Sequence, residues 1–134
     1  MTVSSELLYT TLTALFTGLI WVPIVLNRFV EIGIWKTLMN PERGAQPAAD
    51  WAYRLTSAHR NAIENLVVFA PLAITVHVLQ LGTAGTALAA AVFFYARVAH
   101  AVVYTLGIPV LRTLAFAAGL AAELFLAGRI LGWA

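Results

Sequence analysis

The stretch SAHRNAIENLVVFAPLAITVHVLQL, residues 57–81, joins a polar segment to a strongly apolar one. Five polar or ionisable side chains lie within residues 59–65, and the part from Leu66 onward is almost wholly apolar, with one histidine and one glutamine in it. A run of about 20 mostly apolar residues is long enough to cross a bilayer as a helix. The stretch therefore predicts a membrane-spanning helix with an arginine and a glutamate near its first residues.

The composition of the whole chain also indicates a membrane protein. Of its 134 residues, 61% are hydrophobic and 10% are charged, whereas roughly 25% of the residues of a soluble domain are charged. We predict an all-α membrane protein, a four-helix transmembrane bundle in one domain over residues 1–134, with one long connection at about residues 27–57. The predicted spans are at about residues 7–26, 62–81, 83–106 and 109–133.

Several classes of function do not fit this composition. The chain has no cysteine, so any thiol chemistry needs a thiol from the substrate. The histidines do not form a metal-spaced set with carboxylates, so we expect no metal. The net charge of +2 comes from few groups with no long basic stripe, so we expect no nucleic-acid partner. The N-terminus lacks a basic region and carries Glu6, which favours a mature helix over a signal peptide.

The positions of the basic residues predict the orientation in the membrane, because lysines and arginines concentrate on the cytoplasmic side. The connection at residues 27–57 holds four basic residues, and the turn at residues 105–112 holds another. We therefore expect both connections to face the cytoplasm and both termini to face outward. Asp50 is the predicted N-cap of the second spanning helix. Gly107 is expected to end the third helix and Pro109 to start the fourth.

Four helix ends bring polar residues to the same membrane face, because successive helices alternate in direction. On the second helix, Arg60 and Glu64 are four residues apart. On the third helix, Arg97, His100 and Tyr104 follow spacings of three and four, so each set lies on one stripe of its helix. The residues expected at this face are Arg28, Arg60, Asn61, Glu64, Arg97, His100, Tyr104, Arg112 and Thr113.

Charged groups at this depth need a partner, because burying an arginine or a glutamate in a membrane is costly. Arg97 and Glu64 lie at similar depth with opposite charge, so we predict that they pair. Such a pair fits a structural role in helix register as well as a functional role. The remaining arginines outnumber the nearby acids, which favours a cytoplasm-facing pocket for an anion. Glu123, about 16 Å from Arg112 along the fourth helix, is expected away from this cluster, and the sequence assigns it no role.

Three segments resemble the MAPEG family, the membrane-associated proteins in eicosanoid and glutathione metabolism. HRNAIEN (59–65) resembles the second-helix motif of the family, RVAHAVVYTLGIPVLRTLAF (97–116) its passage from the third to the fourth helix, and NPER (40–43) its cytosolic loop. The resemblance covers most of the chain and is to bacterial-type members, which implies the bacterial inner membrane. It also implies a homotrimer that binds glutathione between neighbouring subunits near the cytosolic face.

The resemblance implies roles for single residues. Arg112 matches the arginine that stabilises the glutathione thiolate in the family, and Thr113 falls where some members have a serine hydroxyl near that sulfur. Ser57 stands where many members have another arginine, and Phe116 where some have a tyrosine, which weakens the transfer of any specific eicosanoid activity. The implied glutathione-binding residues are Arg28, whose match is the loosest, and Arg60, Asn61, Glu64, Arg97, His100 and Tyr104.

The function implied by the resemblance is that of a membrane-bound glutathione transferase or peroxidase, as used in detoxification. Glutathione would enter from the cytoplasm, and a small lipophilic electrophile or hydroperoxide would arrive from the lipid bilayer. Two alternatives stay open: a non-catalytic membrane protein of the same fold that acts as a binder or scaffold, and a small four-helix transporter with Glu64 as its intramembrane acid. The arginines near Glu64 would repel cationic drugs, which disfavours the transporter.

Overall fold

The computed structural model describes residues 2–134, and within that range the chain is all-helical, with no β-strand. Four of its helices are long and apolar enough to cross a membrane, which confirms the predicted all-α architecture with four candidate spans. A fifth, short helix lies between the first two of them. The elements are α1 (Ser5–Ile32), α2 (Ile34–Leu38), α3 (Asp50–Val78), α4 (Ala84–Thr105) and α5 (Pro109–Ile130).

Local sequence sets where α4 and α5 begin and end. The hydroxyl of Thr83 accepts a hydrogen bond from the backbone N–H of Thr86 at 3.1 Å, and the Thr86 hydroxyl accepts one from the N–H of Thr83 at 2.7 Å. This reciprocal pair is a capping box at the start of α4. Beyond its end, Gly107 has a φ of +78°, a left-handed conformation that glycine adopts readily. Pro109 starts α5, so the predicted boundary at these two residues is confirmed.

The connection between α1 and α3 differs from the prediction. Its first half is largely helical, because α1 continues to Ile32 and α2 follows at Ile34–Leu38, whereas α3 begins at Asp50, within one residue of the predicted start. The Glu31 carboxylate, near the end of α1, accepts hydrogen bonds from the backbone N–H groups of Ala48 and Ala49, each at 3.0 Å. One acid thereby satisfies donors ahead of and at the start of α3 and ties the two helices together. The N-cap residue is Ala49, so the prediction that Asp50 is the N-cap is wrong by one residue.

The central helix of the bundle is α4, which packs against α1, α3 and α5. Its contact with α3 includes Phe69 and Phe93, whose rings are stacked with centroids 3.9 Å apart. Small side chains such as Ala90 and Ala101 are buried along it and allow the helices to approach closely. The polar residues in the second half of α4 are consequently held between α3 on one side and α5 on the other.

Candidate functional site

A polar cavity of about 210 Å³ lies where α4 passes into α5; we call it the turn-end cavity. From α4, His100 and Tyr104 line the cavity together, because side chains four residues apart share one face of a helix. The helix α5 contributes residues from its first two turns, and α3 contributes one side chain. The lining residues are Asn61, His100, Tyr104, Arg112, Thr113 and Phe116. All of these except Phe116 are site residues predicted from the sequence, so the fold brings a large part of the predicted set into one cavity.

Arg112 supplies the positive charge of the turn-end cavity. Its guanidinium carbon lies 4.5 Å from the centroid of the Tyr104 ring, within the range of a cation–π interaction. The same ring meets His100 edge to face, with centroids 5.5 Å apart. Within residues 2–134, the one ion pair closer than 4 Å joins Lys36 and Glu42, at 3.9 Å, so no carboxylate there forms an ion pair with Arg112. The cavity therefore presents an unneutralised guanidinium held in place by an aromatic ring.

Thr113 brings a hydroxyl to the same wall of the cavity. This hydroxyl donates to the backbone carbonyl of Pro109 at 3.3 Å, which is long for an O–H···O hydrogen bond. To donate to a ligand in the cavity, the Thr113 hydroxyl must give up its hydrogen bond to Pro109. Its oxygen can accept a hydrogen bond from a ligand without that change. Thr113 is thus placed to assist Arg112 but is oriented along its own helix in this structure.

Arg97 is buried behind the turn-end cavity, and its partner differs from the one predicted. One of its terminal nitrogens, Nη1, donates a hydrogen bond to Oδ1 of Asn61 at 2.7 Å. The predicted pair with Glu64 is wrong, because Glu64 is exposed on the outer face of α3. Residues three apart on a helix differ by about 60° in direction, and that rotation places Asn61 toward α4 and Glu64 away from it. Asn65, one turn from Asn61, is buried on the inner face.

Glu123 is buried within the bundle, at 5% exposure. Gly119, one turn before Glu123 on the same face of α5, lies against the Arg97 guanidinium: a Cβ atom there would be 3.7 Å from Arg97 Nε. The expectation that Glu123 lies away from the cluster is therefore wrong. Glu123 is about 16 Å from Arg112 along α5, but Arg97 lies at a similar distance from the end of α4, so the two side chains lie at similar depth in the bundle.

Four predicted site residues do not line the turn-end cavity: Arg97, which is buried behind it, and three that lie elsewhere. Arg60 and Glu64 are exposed on the outer face of α3. Arg28, on α1, lines a separate hollow of about 250 Å³ beside the connection between α1 and α3. Within a single chain, the structure thus divides the predicted binding set between an inner cavity and outward-facing positions.

Phe116 and Asn65 are neighbours of the site that the sequence analysis did not assign to it. Phe116 is four residues after Arg112 on α5 and lines the cavity, and the Arg97 guanidinium carbon lies 5.9 Å from its ring centroid. Asn65 is four residues after Asn61 and donates to its backbone carbonyl at 2.8 Å. A search of each helix at a spacing of four from the predicted residues would have found both.

No metal-binding group of three or more histidine, aspartate or glutamate side chains occurs among the described residues 2–134. Comparison with curated proteins and with solved structures gave no match. The sequence profile of the MAPEG family matches residues 7–132, which include every residue of the turn-end cavity. With this match and four helices suited to a bilayer, the chain is an integral membrane protein that belongs to the MAPEG family.

Proposed function

We propose that this protein is a membrane-bound glutathione transferase or peroxidase, whose turn-end cavity holds the glutathione sulfur as a thiolate. The observation that carries the proposal is Arg112, a guanidinium on the cavity wall that no carboxylate among residues 2–134 neutralises within 4 Å. Proteins of the family use glutathione, an anionic thiol. Because the chain has no cysteine, the co-substrate supplies the thiol.

The chemistry requires the thiolate, because the thiol form is a weak nucleophile and an ordinary thiol has a pKa of about 8.5. A guanidinium next to the sulfur favours the charged form and lowers that pKa. Tyr104 holds Arg112 by its ring face and leaves the N–H groups of the guanidinium free to donate. Thr113 and Asn61 are further polar groups on the cavity wall that are able to hydrogen-bond to the bound co-substrate.

Two reactions follow from a bound thiolate. With a lipophilic electrophile, the sulfur attacks an electrophilic carbon, a C–S bond forms, and a leaving group departs with its electron pair. With a hydroperoxide, the sulfur attacks the terminal oxygen, the O–O bond breaks, and the departing alkoxide takes a proton from water; the products are an alcohol and the sulfenic acid of glutathione. A second glutathione then forms the disulfide and releases water. The lipophilic substrate is expected to reach the cavity from the bilayer, and glutathione from the cytoplasm.

The outward-facing residues support assembly as a homotrimer. Arg60 and Glu64 are exposed on α3, about 15 and 21 Å along the helix from its first residue. Both charges lie near the polar end of the predicted span, where contact with lipid is costly. A second copy of the chain against this face removes them from lipid and brings Arg60, Glu64 and Arg28 to a shared glutathione site. We place this site on the cytoplasmic side of a bacterial inner membrane, with the termini outward.

Titration of glutathione into the detergent-purified protein, followed by calorimetry, tests the proposal. We expect saturable binding that is lost or greatly weakened in Arg112→Ala and weakened in Arg60→Ala. The matched control is Arg43→Ala, which removes the same charge from an exposed position between α2 and α3 and should leave the dissociation constant unchanged.

Catalysis is measured next, with 1-chloro-2,4-dinitrobenzene as the electrophile and cumene hydroperoxide as the peroxide. Turnover of either, lost in Arg112→Ala, supports an enzyme. Binding without turnover of a panel of lipophilic substrates would favour the non-catalytic binder. No binding at millimolar glutathione would refute the proposal.

A further inference from the structure

We propose that Glu123 is a positioning residue of the turn-end cavity, acting through Arg97 to orient the amide of Asn61. The expected effect of Glu123 on glutathione binding rests on the proposed function. The chain of contacts itself is a property of the protein without glutathione. It links three helices: Glu123 on α5, Arg97 on α4 and Asn61 on α3.

The first step is the orientation of the Asn61 amide. A guanidinium has only N–H donors and no acceptor, so the Asn61 atom that faces Arg97 Nη1 at 2.7 Å is the carbonyl oxygen Oδ1. The same oxygen accepts a second, longer hydrogen bond from Nδ2 of Asn65 at 3.3 Å. Both acceptor positions of Oδ1 are therefore occupied. The amide nitrogen of Asn61 makes no hydrogen bond within residues 2–134, and it is the end of the side chain left to donate to a ligand.

The second step is what keeps Arg97 in this place. Arg97 is 1% exposed, and two of its nitrogens, Nε and Nη2, are buried without a hydrogen-bond partner among the described residues. A buried charge with so few partners is costly unless an opposite charge lies nearby. Glu64 and Arg60 are on the outer face of α3, so neither supplies or disturbs that charge from within the chain.

Glu123 is the buried acid on the face of α5 that lies against Arg97. It is 5% exposed, and its Oε1 atom is also buried without a hydrogen-bond partner among residues 2–134. Gly119, one turn before Glu123 on the same face of α5, lies against Arg97, with its Cβ position 3.7 Å from Arg97 Nε. Removal of the Glu123 charge leaves a buried guanidinium uncompensated, which favours conformations in which Arg97 withdraws toward a wetter position. The Asn61 amide then loses the donor that fixes its orientation.

The chain of contacts is tested first without glutathione, by NMR of the full-length protein in detergent with ¹⁵N-labelled asparagine. The side-chain NH₂ signal of Asn61 is assigned by its absence in Asn61→Ala. We expect Glu123→Gln, which keeps the shape of the side chain, to shift or broaden that signal, and Glu123→Asp, which keeps the charge, to restore it in part. The control is Glu6→Gln: Glu6 is another buried acid, at 4% exposure, and is hydrogen-bonded to Thr86. An Asn61 signal that does not move in Glu123→Gln overturns the proposal.

A double-mutant cycle on glutathione binding tests the consequence. Loss of one hydrogen bond made by a positioned donor to a charged group corresponds to about a tenfold increase in the dissociation constant. We expect Glu123→Gln to cause about that increase in the wild-type background and almost none in the Asn61→Ala background, because both changes remove the same interaction. Independent, additive effects would show that Glu123 acts on overall structure and would overturn the proposal. If the wild-type protein binds no glutathione, the proposed function fails, while the NMR result still decides whether Glu123 orients Asn61.

Discussion

We expect the ring of Tyr104, rather than its hydroxyl, to contribute to the affinity of the turn-end cavity for glutathione. The Arg112 guanidinium carbon lies 4.5 Å from the ring centroid, and Arg112 is half-buried. A cation–π contact of this kind contributes about 1 kcal/mol, which corresponds to about a fivefold change in an equilibrium constant. We therefore expect Tyr104→Leu to raise the dissociation constant of glutathione about fivefold, because Arg112 loses the surface that holds it over the cavity.

The comparison that isolates the ring is Tyr104→Phe, which keeps the aromatic face and removes only the hydroxyl. Since that hydroxyl donates no hydrogen bond within residues 2–134 and the ring makes the contact with Arg112, this variant should bind glutathione within about twofold of the wild type. The assay is calorimetric titration in detergent, with the ultraviolet absorbance of the glutathione thiolate as a second readout at a fixed pH. If Tyr104→Phe binds as weakly as Tyr104→Leu, the hydroxyl is the working group and the argument from the ring is refuted.

Three further perturbations test other parts of the molecule. Arg60→Glu should dissociate the proposed homotrimer, seen by native mass spectrometry from detergent, whereas the exposed loop change Arg43→Glu should not. Glu31→Ala should speed amide hydrogen exchange at the start of α3, because its carboxylate caps that end; unchanged exchange would contradict the capping role. Gly107→Ala should lower the thermal unfolding temperature, since a φ of +78° strains any other residue by roughly 1 to 3 kcal/mol. Gly18→Ala, with open space at its Cβ position, should not lower it.

The number and type of the long helices could be predicted from the sequence because a bilayer imposes a length and a composition on every span. The boundary at Gly107 and Pro109 could be predicted because each residue is suited to one kind of backbone position. The capping of α3 by Glu31 could not be predicted, since it depends on how the chain returns from α1, and 17 residues separate Glu31 from Ala48.

Sequence spacing shows which residues share a face of a helix, but it does not show which neighbouring helix that face meets. Arg60 and Glu64 share one stripe of α3, as their spacing predicts, but that stripe is exposed and faces away from Arg97, whereas Asn61 faces Arg97. The pairing of Arg97 with Asn61 rather than Glu64 follows from that difference. Glu123 is a related case: its distance from Arg112 along α5 says little, because its depth relative to Arg97 on the neighbouring helix determines which charges can meet.

The division of α3 into two faces explains how one short motif supports two kinds of contact. In HRNAIEN (59–65), Asn61 and Asn65 face their own chain, where they meet Arg97 and each other. Arg60 and Glu64 alternate with them and face away from it. A helix turns by about 100° per residue, so adjacent residues of a motif reach opposite neighbours without any bend in the backbone. In the proposed homotrimer, the inner pair orients the cavity wall and the outer pair meets the next subunit. A change at either face then alters glutathione binding by a separable route, through amide orientation or through assembly.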